Sequence, residues 1–166
     1  MPIPLSERPM KPGEFSLLVL DFDGVMTDNT VIVHQDGTES VTCNRSDGWG
    51  LGLLRDAGFP VFVLSSETNP VVAARCNKLK IPCAHGHKDK LPTLDALLTE
   101  RKLDGARVIY VGNDVNDLPC FARVGVSIAV RDAHPKALAG ARLITSLPGG
   151  RGAVREVCDW ILDSMK

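Results

Sequence analysis

Short apolar runs, each ending at a polar, turn-forming segment, set the pattern of this chain. Leu17 to Leu20 (LLVL) stops at Asp21, is too short for a helix and has polar residues on both sides, so it predicts a buried central strand. Val61 to Leu64 (VFVL), Val108 to Val111 (VIYV) and Val126 to Val130 repeat the pattern, and Leu143 to Thr145 is a candidate fifth strand. Helical segments fall between them. Ser46 is placed to cap a helix over Asp47 to Ala57, with Leu51, Leu53 and Leu54 inward and Gly58 as the stop. Asn69-Pro70 opens a helix to Leu79, Pro92 fits the first turn of one ending near Arg101, and two more run through Val124 and from Ala153 to Met165. Ahead of the first helix, Thr30 to His34 and Glu39 to Cys43 flank the turn Gln35-Asp36-Gly37. That pattern predicts a β-hairpin, which needs a packing partner such as another subunit.

Strands of four or five residues alternating with helices predict an α/β fold: a doubly wound parallel sheet, covered on both faces, with the β-hairpin inserted. Ligands of such sheets bind outside the carboxyl ends of the strands. The rule gathers Asp21 and Asp23, then Ser65, Ser66 and Glu67, then Asn113, Asp114 and Asp117 at one edge. Lys90 stands at a helix entrance between the last two groups.

Composition narrows the function classes. At 166 residues and 44% apolar, the chain suits one globular domain; residues 1–14, polar and Pro-rich, read as a flexible tail before a single domain over 15–166. A formal charge of −1 gives no basic field, which argues against nucleic-acid or membrane-surface partners. Five scattered cysteines without a CxxC predict a reduced, cytoplasmic protein. No apolar run approaches the ~20 residues of a membrane span. His85 and His87 lack a third ligand at suitable spacing, so they predict a loop pair and not a zinc site.

The gathered acids carry the chemistry. Two carboxylates ~4 Å apart repel by about 1 kcal/mol in water and about 4 kcal/mol at an effective dielectric of ~20, a cost that a divalent cation offsets. All-oxygen ligation with room for water suits Mg²⁺, which completes its shell with phosphate. A hydroxyl at Ser65 and an ammonium at Lys90 complete a site for phosphoryl transfer.

Asp21-Phe22-Asp23-Gly24-Val25, Ser65, Lys90 and Gly112-Asn113-Asp114-Val115-Asn116-Asp117 resemble the four motifs of the haloacid dehalogenase superfamily, over about residues 15–165. The stretch from Asp23 to Ser65 holds the hairpin and one helix, with no large cap. With Ser46-Asp47-Gly48-Trp49-Gly50 and Gly149-Gly150-Arg151-Gly152, the chain is similar to the capless sugar-acid phosphatases. That branch includes 3-deoxy-manno-octulosonate 8-phosphate phosphatases, nonulosonate 9-phosphate phosphatases and the C-terminal domains of some acylneuraminate cytidylyltransferases. The resemblance implies a Rossmann-like sheet and a phosphatase of phosphorylated ulosonic acids. Asp21 would be the nucleophile and Asp23 the general acid and base. Ser65 would bind phosphoryl oxygens, and Lys90 would neutralise charge. Asp21, Asp23, Asn113 and Asp114 would hold Mg²⁺, while Asp47, Gly48, Ser66, Glu67, Lys78 and Arg151 would bind the sugar acid. It also implies a homotetramer whose hairpins pack together, with one chain roofing another's site.

Two departures matter. The family pattern has Gly-Asp where this chain has Gly112-Asn113, which removes a negative charge and predicts weaker metal affinity; Asp114 is the substitute, directly or through water. Glu67 takes a position usually held by Arg in the octulosonate enzymes, and with Lys78 resembles the nonulosonate branch. The Asn113 change also keeps open a second reading, an oligomerisation or regulatory module with little hydrolytic activity.

Overall fold

The computed structural model describes all 166 residues. The apolar runs become the middle of one parallel sheet. In chain order the elements are β1 (Ile3–Pro4), β2 (Leu17–Leu20), β3 (Ile32–Val33), β4 (Glu39–Ser40), α1 (Arg45–Asp56), β5 (Val61–Leu64), α2 (Val71–Leu79) and β6 (Cys83–Ala84). They continue as α3 (Leu91–Arg101), β7 (Val108–Gly112), α4 (Leu118–Arg123), β8 (Val126–Ala129), α5 (Pro135–Gly140), β9 (Leu143–Ile144) and α6 (Ala153–Asp163). The seven-stranded order is β1-β9-β8-β7-β2-β5-β6, with every pair parallel. β2, β7 and β8 are buried along their whole length, as expected of strands covered on both faces. Helices α1, α2 and α6 cover one face, and α3, α4 and α5 pack as a second group.

From β2 the chain crosses to β5 and β6 on one side, then returns to β7 on the other. The carboxyl end of β2 is therefore the topological switch point, where a doubly wound sheet opens a crevice. Register fixes it closely: Leu20 lies opposite both Val63 and Val111, so the residues just past three adjacent strands emerge together.

Several expectations need correction. The N-terminal segment is an ordered edge of the sheet: β1 pairs with β9, Leu5 and Met10 are buried, and Trp160 Nε1 donates to the Arg8 carbonyl at 2.7 Å. Two residues of strand carry no readable periodicity, which is why composition suggested a tail. Asn44, and not Ser46, caps α1: its Oδ1 accepts from the Ser46 and Asp47 amides at 2.7 and 3.2 Å. Leu53 is only half-buried, and α6 ends at Asp163, two residues early. β6 and α5 are additions to the expected set.

The hairpin forms as β3 and β4, antiparallel, with Val31, Ile32 and Val33 exposed. No cap domain covers the sheet edge. The Gly149-Gly150 turn packs so tightly on the loop after β2 that a Cβ on Gly149 would fall on the Gly24 carbonyl; Gly150 adds φ +65 and donates its N–H to Val25 O. None of the helices is long and apolar enough to cross a membrane.

Candidate active site

At the switch point Asp21 leaves β2 with its amide bonded to Val111 O, and its carboxylate turns into a buried charge cluster. Lys90 Nζ, at the entrance of α3, lies 2.8 Å from Asp21 Oδ2 and 2.7 Å from Asp117 Oδ1. Two carboxylates thus share one ammonium, all three nearly inaccessible to water. Asp117 is further held by Tyr110 OH at 2.8 Å and by the Asn113 and Asp114 amides at 2.8 and 3.2 Å. It therefore fixes both the lysine and the loop after β7.

The cluster's electrostatics follow from burial. Desolvation and the nearby Asp117 charge push the Asp21 carboxyl up to about 7, against the pull of Lys90 and the Phe22 amide. Burial pulls the Lys90 ammonium down, but Asp21 and Asp117 outweigh it and hold its pKa above the ordinary lysine value. Asp23 is half-buried, and desolvation followed by the charge of Glu67 raises its pKa. Burial thus shifts both carboxyls towards their protonated forms, the direction that a proton donor at Asp23 needs.

The inward atom of the Asn113 side-chain amide stands 3.0 Å from the Asp23 carbonyl oxygen and 3.2 Å from Asp21 Oδ2. With NH₂ turned inward it donates to both; with oxygen inward, three oxygens converge on one point, a donor set that fits Mg²⁺. Asp21, Asp23 and Asn113 are brought together as expected. Asp23 meets Asn113 there through its backbone carbonyl and not through its carboxyl. Asp114 lines the same cleft, but its Oδ1 accepts from the Val115 amide at 2.6 Å, which puts it at the rim.

Past β5, the Ser65 amide donates to Ala84 O and its Oγ accepts from the Glu67 amide at 3.1 Å. The hydroxyl proton is thereby left for an oxygen in the cleft. Ser66 lines the cleft too, its Oγ accepting from Asn116 Nδ2 at 3.3 Å. The cavity they share with Asp21, Asp23 and Asn113 measures about 300 Å³. A second cavity of about 250 Å³, which includes Glu67, adjoins it through Asp23 and Asn29.

Four expected substrate residues are not brought to the cleft within one chain. Asp47 does not line the cleft; its Oδ1 accepts from Arg155 N at 2.9 Å and so caps the first turn of α6. Gly48 packs against α2, where a Cβ would press on Arg75 Nη2 and Leu79. Lys78 is exposed on the last turn of α2. Arg151 is exposed and pairs with Asp28 at 3.2 Å, beside a larger cavity of about 740 Å³ that contains none of the catalytic cluster.

The sequence reading missed Asn29, Thr27 and Asn116. Thr27 Oγ1 accepts from the Gly24 and Asn29 amides at 3.1 and 3.2 Å, tying down the loop after the nucleophile. Asn29 has φ +63, a left-handed turn that the Asp28-Asn29 pair could have signalled.

Comparison with known proteins agrees with this geometry. A haloacid dehalogenase-like hydrolase family model matches residues 73–154. The 3-deoxy-D-manno-octulosonate 8-phosphate phosphatase of Yersinia pestis is 40% identical over 153 residues, covering 92% of this chain and 82% of that protein. A Streptomyces avermitilis crystal structure, described as a HAD family hydrolase, superposes with a TM-score of 0.90 at 48% identity, covering 93% of this chain and 89% of that one. The Moraxella catarrhalis 3-deoxy-D-manno-octulosonate 8-phosphate phosphatase, crystallised with magnesium, phosphate and KDO, gives a TM-score of 0.87 at 31% identity over 91% of this chain and 87% of that one.

Proposed function

The chain belongs to the haloacid dehalogenase-like hydrolases, in their capless sugar-acid phosphatase branch, and from that membership we propose how its residues divide the work. It is a Mg²⁺-dependent phosphatase of a phosphorylated ulosonic sugar acid, as its octulosonate relatives are. Asp21 attacks phosphorus in line, the ester P–O bond breaks, and an aspartyl-phosphate forms. Asp21 Oδ2 faces Lys90 and Asn113, which leaves Oδ1, oriented by the Phe22 amide at 2.7 Å, as the attacking atom. Asp23 gives its proton to the departing sugar oxygen, then takes one from the water that attacks the aspartyl-phosphate and releases phosphate. Ser65 hydrogen-bonds a phosphoryl oxygen, and Lys90 balances the charge on Asp21. Asp21, the Asp23 carbonyl and Asn113 would hold Mg²⁺, which would supply neutralisation of the phosphoryl oxygens.

The observation that carries this reading is the convergence of Asp21, the Asp23 carbonyl and Asn113 beside a buried lysine at the switch point. Octulosonate 8-phosphate and nonulosonate 9-phosphate acids, assayed with Mg²⁺, should both be tried; phosphate release from either, stopped by a chelator, is the expected result. No turnover of any phosphate ester would instead favour the oligomerisation module.

Asn113→Asp supplies the missing charge at the cation position, so the Kd for Mg²⁺ measured by calorimetry should fall at least five-fold. An unchanged Kd would remove Asn113 from the ligand set. The exposed Val31, Ile32 and Val33 on a hairpin too short to be stable alone support self-association through that hairpin, to the expected homotetramer. A neighbouring chain would then be the source of cations such as Lys78 near the cleft.

A further inference from the structure

We infer that Tyr110 is a positioning residue for the reaction: its hydroxyl satisfies Asp117, the carboxylate that competes with the nucleophile for Lys90, and so keeps the ammonium shared with Asp21. The inference rests on the phosphatase reading and adds to it a residue outside the catalytic motifs. Tyr110 is the only tyrosine of the chain and is fully buried in the middle of β7. Its ring meets Phe121 of α4 edge-on at 5.9 Å, a contact that a phenylalanine would make equally well. The hydroxyl is therefore surplus to packing, and a buried hydroxyl is costly unless it is bonded. It donates to Asp117 Oδ1 at 2.8 Å. The neighbouring Cys120 thiol, neutral because burial and then the Asp117 charge push it up to about 12, is the weaker acceptor, so the phenolic proton points to the carboxylate. Burial and the same charge hold the pKa of Tyr110 itself well above the ordinary phenol value, so it stays a donor.

Lys90 Nζ lies 2.7 Å from that same Oδ1 and 2.8 Å from Asp21 Oδ2, so two buried carboxylates compete for one ammonium. Neutral donors decide the balance. Asp117 takes three of them, Tyr110 OH on Oδ1 and the Asn113 and Asp114 amides on Oδ2, whereas Asp21 Oδ1 takes the Phe22 amide. Each donor disperses charge on Asp117 and loosens its hold on the lysine, which stays within reach of the nucleophile. The consequence is largest during attack. Negative charge then leaves the Asp21 carboxylate for the phosphoryl oxygens, and an ammonium drawn wholly onto Asp117 could not follow it. Two of the three donors are backbone amides of the loop after β7, so the phenol is the one that a side chain supplies. Tyr110, Asp117 and Lys90 are buried within a single chain, so a neighbouring subunit does not alter their contacts.

Tyr110→Phe removes the donor and keeps the ring. Crystal structures of wild type and variant should show Lys90 Nζ withdrawn from Asp21 Oδ2 and closed onto Asp117. Steady-state kinetics with Mg²⁺, at a temperature where both proteins are folded, should show kcat lower by about ten-fold or more and KM changed by less than about two-fold, the pattern of a hydrogen bond to a charged group that matters only in the transition state. Expression on 3-fluorotyrosine places a stronger donor at this single site, so kcat should fall in the order fluorotyrosine, tyrosine, phenylalanine. Should the phenylalanine variant not fold, the order of the first two decides. A lysine unmoved in the variant crystal would overturn the inference, as would any other order of kcat, including no difference among the three proteins. Failure of the phosphatase reading is a separate result: wild type would release no phosphate from any ester, with the lysine displacement still readable in the crystals.

Discussion

Asp21→Asn should abolish phosphate release and, in chelator-treated protein at neutral pH, raise the melting temperature. The loss of turnover follows from removing the attacking oxygen, and is expected at roughly 10⁴-fold or more, the scale of other nucleophile deletions. The gain in stability has a different origin. Asp21 is a second carboxylate beside a single buried ammonium, and burial pushes its pKa from 3.8 to about 7. In the unfolded chain the same carboxyl ionises near its ordinary value, so between about pH 4 and pH 7 the unfolded state holds fewer protons than the native one. Stability contributed by this group is present below that window and is lost as pH rises through it. The shift sets a ceiling of about 4 kcal/mol on the loss. Differential scanning calorimetry from pH 4 to pH 8 should show the variant level with wild type at the acid end and several degrees above it at the neutral end. Saturating Mg²⁺ should narrow the gap, because the cation binds the native carboxylate and stabilises the wild type. Parallel pH profiles for the two proteins would show that Asp21 carries no such cost.

The opposition between stability and activity at Asp21 also explains which parts of the fold were legible in the sequence. LLVL, VFVL and VIYV are continuous apolar runs because their strands are covered on both faces, and their carboxyl ends placed Asp21, Ser65 and Asn113 together. β1 and β6 have two residues each, too few for a period, and are specified by pairing with a neighbour already in place. Asp47 shows the other limit. An acid in the first turn of a helix is an ordinary sign of a local cap or a nearby pocket, yet this one caps α6 across 108 residues of sequence. Only tertiary packing decides which partner such a carboxylate finds. Asp23 was legible as a residue but not as an atom: motif spacing gives the side chain, while the cation position is faced by its backbone carbonyl. Glu39 and Glu67 show the same limit, since they are 28 positions apart and are joined through Asn69, which donates to both.

Lys90→Met should cost the fold about as much as it costs the reaction. The ammonium is almost fully buried and is the only cation that contacts Asp21 and Asp117. Removing it leaves two carboxylates in low dielectric, a change that typically destabilises by about 3–5 kcal/mol. Domains of this kind have a total stability of about 5–15 kcal/mol, so urea denaturation should detect a large fall in ΔG. A helix-entry lysine with a merely local role would give a change within about 0.5 kcal/mol, as substitutions do away from buried charges. Lys90→Met/Asp117→Asn separates the two effects. It removes one charge of each sign, retains an oxygen for the Asn113 and Asp114 amides, and leaves Asp21 free to take up its proton. More than half of the lost stability should return in the double variant, because neutralising a buried charge network costs far less than breaking it. Activity should not return with it, since the lysine that balances the nucleophile is still gone. If the double variant were no more stable than Lys90→Met alone, the destabilisation would belong to the lost methylene packing of the lysine stem, and the buried charge balance would not be what holds this site together.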